Sequence, residues 1–87
     1  MVAFKITAHS RFLSSLQMHP TLPLLLSTAQ DGTLVVWQLP EQPGSSVGVA
    51  MSKVCKNSML VGGTFIGDQQ QVAVSTYSSE DLRIYAF

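Results

Sequence analysis

Three residues, His9, Ser27 and Asp31, have the types that form a catalytic triad. In such a site Ser27 would be the nucleophile, His9 the general base, and Asp31 the group that orients the imidazole. The sequence around them does not favour this chemistry. Ser27 lies within an apolar stretch, with neither a Gly-x-Ser-x-Gly elbow nor a following glycine for an oxyanion hole. We therefore predict structural hydrogen bonding, no catalytic residue and no enzymatic activity.

Metal ligation is the second chemistry that the side chains suggest. His9, His19 and Cys55 are ligand types, but none of them has the short C-x-x-C or H-x₃-H spacing of a metal site. A turn histidine and a small buried thiol are the favoured interpretations. The single cysteine cannot form an internal disulfide, which favours a reducing, cytoplasmic compartment. We expect no metal and no cofactor.

The composition limits the class of partner. Charged residues make up 11% of the 87 residues, with five basic and five acidic side chains, whereas about 25% is typical of globular proteins. A chain without a basic field is not expected to collect nucleic acid or anionic lipid. The apolar run Leu22–Leu26 is broken by Pro23 and is far shorter than the ~20 residues of a membrane span. The low charge favours other proteins as partners.

The elements that must position these residues are predicted to be β-strands. Asp31-Gly32 stands between two apolar runs, which is a strong hairpin signal when both turn residues reach positive φ. The apolar residues of those runs are continuous, which indicates strands buried on both faces. In the first half of the chain we predict four strands, at Val2–Thr7, Phe12–Met18, Leu24–Ala29 and Thr33–Leu39.

The second half repeats the pattern after a loop at Pro40–Ser46. Strands are predicted at Val47–Val54, Val72–Thr76 and Leu82–Tyr85, while Gly62-Gly63 interrupts the alternation between Met59 and Ile66. Self-similarity at a fixed period indicates a repeat architecture. An offset of 48 residues relates His9 to Asn57, Ser27 to Ser75, Asp31 to Ser79 and Trp37 to Tyr85. Since this offset retains only the serine, we expect no equivalent polar set in the second unit.

These residues resemble a WD-repeat unit, chiefly through Ile6–Arg11 and Leu25–Trp37. The similarity continues through Cys55, Gly63-Thr64-Phe65 and Val72–Tyr77, toward the last two blades of a propeller domain in one WD-repeat subfamily. The resemblance implies that His9, Ser27, Asp31 and Trp37 form one hydrogen-bonded set. The sequence departs from the family pattern at Ala8, where glycine is usual, and at Gln38, where aspartate is usual.

The resemblance also implies the domain organisation. We expect an all-β fold of two antiparallel WD-repeat blades, with about seven to eight short strands, forming an incomplete part of a β-propeller over residues 1–87. Residues 2–39 would hold the outer strand of a preceding blade and a first three-strand unit with the full polar set. Residues 40–46 form the loop, and residues 47–87 hold an outer strand and a degenerate terminal unit.

The implied function is a non-enzymatic scaffold for protein–protein interaction, since WD propellers present loops on a rigid frame. Arg11 and Phe12 adjoin such a loop and are the candidate partner contacts. Trp37 is expected in the core rather than at a binding hot spot. Two alternatives remain open: a hydrolase that uses Ser27 and His9, and self-association through open strand edges at Val2–Thr7 and Leu82–Tyr85.

Overall fold

The protein is an all-β chain in the computed structural model, which describes residues 9, 11–40, 46–55, 58–67, 70–77 and 82–87. The predicted strand Val2–Thr7, Asn57, Ser79 and the centre of the predicted loop lie outside these ranges. The described residues form seven strands and no helix: β1 (Leu13–Met18), β2 (Leu24–Ala29), β3 (Thr33–Gln38), β4 (Gly48–Val54), β5 (Leu60–Phe65), β6 (Gln71–Thr76) and β7 (Leu82–Ala86). Nothing in these ranges has the helical length and apolar character needed to cross a bilayer.

The strands form two antiparallel sheets. Sheet 1 has the order β1-β2-β3-β4, so the strand predicted near residues 47–54 is the fourth strand of the first sheet. Sheet 2 has the order β5-β6-β7, and among the described residues no strand pairs with the free edge of β7. The arrangement is therefore open and incomplete, as expected for two successive blades.

The Asp31-Gly32 signal gives a hairpin, but its turn differs from the predicted two-residue form. Three residues separate the end of β2 at Ala29 from the start of β3 at Thr33. The Gly32 N–H donates to the Ala29 carbonyl at 3.2 Å, and Gly32 has φ +82°. A three-residue loop needs a left-handed residue only at its last position, which glycine adopts without steric cost.

The two sheets repeat one another in register. Leu16 pairs with Ser27 in sheet 1, and Gly63 pairs with Val74 in sheet 2, an offset of 47 residues in both strands. A register shift interrupts each of these pairings at the same place, between Leu13 and Ser15 in β1 and between Leu60 and Gly62 in β5. Since a bulge re-aims a strand at a fixed point, its recurrence identifies the sheets as two copies of one structural unit.

The third strand of each unit follows a different offset. Trp37 pairs with Leu25, and Tyr85 pairs with Val72, so β7 lies 48 residues after β3 while β6 lies 47 after β2. One extra residue between β6 and β7 accounts for the change. The predicted match of Trp37 to Tyr85 therefore agrees with the register, whereas the match of Ser27 to Ser75 is wrong. Val74 occupies the Ser27 position, and Ser75 lies on the opposite face of its strand.

The core lies between the two sheets, where β5 packs against β1 and β2. Because alternate strand residues point to one face, each sheet contributes alternating apolar side chains to this core. Its members are Leu24, Leu26, Leu34, Val36, Cys55, Leu60, Phe65, Val72 and Val74. The two sheets approach closely at Gly63, because a Cβ there would lie 2.9 Å from the Thr28 Cγ2 and 3.1 Å from the Leu26 Cδ2.

Candidate functional site

Ser27 is the centre of the polar cluster in sheet 1. The indole N–H of Trp37 donates to the Ser27 Oγ at 2.9 Å, and the His9 Nε2 lies 2.8 Å from the same oxygen. β2 and β3 position the first pair: Trp37 stands opposite Leu25, two residues from Ser27 on the same face, within reach of a long side chain. The contact joins segments that are 18 and 10 residues apart from Ser27 in sequence.

Asp31 lies at the other end of the His9 ring. Its Oδ1 accepts from the Thr33 N–H at 2.9 Å, which fixes the carboxylate inside the β2–β3 turn. The His9 Nδ1 is 3.7 Å from that oxygen, longer than a hydrogen bond. With the ring proton on Nδ1 facing the carboxylate, Nε2 accepts from the Ser27 hydroxyl, and that oxygen accepts from Trp37. The structure thus brings all four predicted residues together, with hydrogen bonds joining three of them.

Burial determines what this cluster can do chemically. The His9 and Asp31 side chains are 1% and 14% exposed, and Ser27 is 1% exposed. A substrate carbonyl has no access to the Ser27 oxygen, whose acceptor position is also taken by the Trp37 N–H. Trp37 itself is half-buried, less enclosed than the core position predicted for it. The geometry connects backbone segments through the Ser27 oxygen, while the buried His9 Nδ1 has no hydrogen-bond partner among the described residues.

Sheet 2 has a different contact at the position equivalent to Trp37. The Tyr85 hydroxyl lies 3.2 Å from the Cys55 Sγ, which joins the end of β4 to β7. The Lys53 Nζ lies 5.8 Å from the centre of the Tyr85 ring, within cation–π range. The hydrogen bond to Cys55, together with burial, raises the pKa of the Tyr85 hydroxyl above its ordinary value. The Tyr85 side chain therefore contacts sheet 1, whereas the Trp37 side chain contacts the second strand of its own sheet.

Two polar side chains of β1 bind the backbone of β5, a feature that the sequence did not predict. The Ser15 Oγ accepts from the Gly63 N–H at 3.1 Å, and the Gln17 Oε1 accepts from the Phe65 N–H at 2.8 Å. These N–H groups belong to a strand that pairs on one side only, so they have no strand partner. The Thr28 Oγ1 lies 3.0 Å from the Ser15 oxygen and supports it.

His19 orders the β1–β2 connection. Its Nδ1 accepts from the N–H groups of Thr21 and Leu22 at 3.1 and 3.0 Å, so the ring proton is on Nε2. The ring is buried and meets the Phe65 ring edge-on at a centroid distance of 5.0 Å. This is a structural turn histidine, and the described residues contain no group of three or more His, Cys, Asp or Glu side chains placed to hold a metal ion.

The candidate contact residues Arg11 and Phe12 border a cavity on the surface near the polar cluster. The cavity has a volume of about 500 Å³ and is also lined by His9 and Gln30. Phe12 is 80% exposed, and Arg11 is exposed beside it. Arg11 and Phe12 thus lie on the surface at the rim of a cavity that His9 also lines.

The protein is an all-β chain of two repeated antiparallel sheets. This fold is compatible with blades of a β-propeller. A scan against protein-family models finds no match to the chain. A search of curated proteins also finds no significant match.

Proposed function

We propose that the chain is part of a WD-repeat propeller and acts as a non-enzymatic scaffold for protein–protein interaction. The observation that carries the proposal is the double contact of the Ser27 hydroxyl with His9 and Trp37. The resemblance to WD repeats implies this connection between these residue types, and the repeated register of the two sheets supports it independently. A cytoplasmic location accompanies the proposal, since the buried Cys55 thiol is free.

The polar cluster supports a frame rather than a reaction. The contacts of Ser27 join β2 to β3 and to the segment at His9, so the cluster holds the β2–β3 hairpin and that segment in one geometry. Binding sites on such rigid frames lie in the loops and exposed ends of strands. Arg11 and Phe12 are exposed and line one surface cavity together with His9, and these two residues are the proposed partner contact.

The experiment compares proteins captured by the chain with those captured by an Arg11→Ala/Phe12→Ala variant. The matched control is Tyr77→Ala, which removes another exposed aromatic side chain, 69% exposed, from beyond the end of β6. We expect one or more partners to be lost in the first variant and retained in the control. Equal capture by all three proteins would contradict the assignment of this surface.

The hydrolase alternative has its own test. A serine-reactive phosphonate probe should leave the folded wild-type chain unlabelled, because the Ser27 oxygen is buried and already accepts a hydrogen bond. Labelling that disappears in Ser27→Ala, with the circular dichroism spectrum unchanged, would overturn the scaffold proposal in favour of acyl transfer.

A further inference from the structure

Each sheet has an inner face that is turned toward the other sheet and an outer face that is turned away from it, and one cation lies on each inner face. In sheet 1, Lys53 pairs with Leu34, whose side chain belongs to the core between the sheets. In sheet 2, Arg83 pairs with Val74 of the same core. Because paired residues of neighbouring strands project from the same face of a sheet, Lys53 and Arg83 point into the gap between the sheets from opposite sides.

Tyr85 lies between the two cations at the outer rim of this gap, where β4 and β7 are the last strands of their sheets. The Lys53 Nζ is 5.8 Å from the centre of the Tyr85 ring. Hydrogen bonding to Cys55 and then to Tyr85 raises the pKa of the Arg83 guanidinium above its ordinary value, so this group lies beside the same phenol. Both cations are exposed and therefore accessible to solutes.

Neither cation has an acidic partner within the described ranges of the chain. The ion pair that the structure shows there joins His9 to Asp31, and no carboxylate lies at ion-pair distance from Lys53 or Arg83. Like charges on the two sides of a gap repel one another, and a negatively charged group between them removes this repulsion. The arrangement therefore favours an anion between the two sheets.

The repeat shows that the cation of sheet 2 is not required by the fold of the unit. Val35 pairs with Ser27 in sheet 1 as Arg83 pairs with Val74 in sheet 2, so Val35 is the residue equivalent to Arg83. Val35 is 5% exposed. A buried apolar side chain thus serves for strand pairing and packing at this position, and the exposed charge of Arg83 points to binding.

We propose that the rim between β4 and β7 binds a phosphate group, held by the Arg83 guanidinium and the Lys53 ammonium. A phosphomonoester carries a charge of about −1.5 to −2 at pH 7, which matches two cations better than the single charge of a carboxylate does. The planar guanidinium can donate to two phosphate oxygens and the ammonium to the third. This site is separate from Arg11 and Phe12 and goes beyond the proposed scaffold function.

Titration of the full chain with inorganic phosphate, at pH 7 and constant ionic strength, tests the site. The amide signals of Lys53 and Arg83 in the NMR spectrum should shift in a saturable way. Because both cations are exposed and screened by salt, we expect a Kd of about 1–10 mM, and acetate should bind at least about tenfold more weakly. Amide signals that show no saturable shift up to about 100 mM phosphate would overturn the proposal.

Two variants remove the charges one at a time. Lys53→Gln and Arg83→Gln should each weaken phosphate binding at least about fivefold, with an unchanged circular dichroism spectrum. The matched control is Arg11→Gln, which removes the same charge from the cavity lined by His9 and should bind phosphate like the wild type. Equal weakening in all three variants would indicate general charge attraction and overturn the site, as would unchanged binding in both Lys53→Gln and Arg83→Gln.

A phosphorylated side chain of a protein and free phosphate share this chemistry, and a pair of peptides distinguishes the two sources. One short peptide carries a phosphoserine, and the other is the same peptide without phosphate. Tighter binding of the phosphopeptide than of inorganic phosphate would support the site with a phosphorylated protein as its ligand, and the reverse order would support it with the free ion. Equal binding of both peptides would overturn phosphate recognition. The capture experiment at Arg11 and Phe12 probes a different surface, so the two proposals can fail independently.

Discussion

Ser27 shows how one hydroxyl can organise a sheet. The Trp37 indole has a single donor, and the Ser27 oxygen receives it while also contacting the His9 ring. Ser27 and the His9 side chain are each 1% exposed, and a buried polar group left without a partner costs about 1–3 kcal/mol. The cluster thereby makes the position of His9 depend on the pairing of β2 with β3.

Replacing Ser27 by alanine should destabilise the chain by about 1–3 kcal/mol, because two buried polar groups lose their partner. Urea unfolding followed by tryptophan fluorescence measures the change. Ser75→Ala is the matched control, since Ser75 lies on the outer face of the equivalent strand and should cost less than about 0.5 kcal/mol. An equal effect of both substitutions would contradict the assignment of Val74 as the equivalent of Ser27.

Tyr85 gives the second sheet a pH dependence. Its pKa is raised above 10.0 by the hydrogen bond to Cys55 and by burial, so the folded chain holds the phenol proton more tightly than the unfolded chain. This contribution to stability is fully present below pH 10.0 and is lost as pH rises through the folded pKa. The wild type should therefore lose more stability above pH 10.0 than Tyr85→Phe does.

The control for this measurement is Tyr77→Phe, at a tyrosine that is 69% exposed. Its unfolding free energy should follow the wild-type pH profile. A Tyr85→Phe profile that also follows the wild type at high pH would show that the Cys55 contact does not depend on the phenol proton.

Strands and turns are the scale at which the sequence predicted the structure best. β2 begins and ends at the predicted residues, and β3, β6 and β7 differ by one residue at one end. Continuous apolar runs and the Asp31-Gly32 turn are local signals, which explains this accuracy. The predicted equivalence of Ser75 to Ser27 was wrong because it used one offset for all strands. The connection between β6 and β7 is one residue longer than that between β2 and β3. Therefore β7 lies 48 residues after β3, whereas β6 lies 47 residues after β2.

The contacts between the sheets could not be predicted from local signals. Ser15 and Gln17 appear in the sequence as ordinary polar residues of an alternating strand. Their role in accepting from the backbone of β5 depends on how closely the two sheets approach, which only the packed structure determines. The polar cluster could be predicted from the sequence because the resemblance to WD repeats implies that its four residues lie together. Periodicity alone does not predict this.

Gly63 tests the packing of one element on another. In Gly63→Ala the new methyl group would approach Thr28, Leu26 and Val74 within 2.9 to 3.2 Å, so buried neighbours must move. We expect a loss of about 1–3 kcal/mol in urea unfolding. Gly62→Ala is the control, because its Cβ meets only the Ser75 Oγ at 3.6 Å and the exchange should be neutral or slightly stabilising. Equal losses at both glycines would contradict the described sheet packing.

The whole molecule consists of two copies of one unit, held together by an apolar core and by polar links to an otherwise unpaired strand edge. The repeated bulge and the shared register show that the second sheet is built like the first. Its polar anchors differ, however, because Tyr85 binds Cys55 of the preceding sheet while Trp37 binds within its own. The second unit therefore depends on the first for its stability.

Amide hydrogen exchange at Gly63 and Phe65 tests this two-unit arrangement most directly. Both N–H groups bind side chains of β1, so both amides should be protected in the wild type. Ser15→Ala should remove protection at Gly63 alone, and Gln17→Ala should remove it at Phe65 alone, while the other amides of β5 keep theirs. Free exchange of both amides in the wild type, or protection that survives both substitutions, would contradict the arrangement of the two sheets.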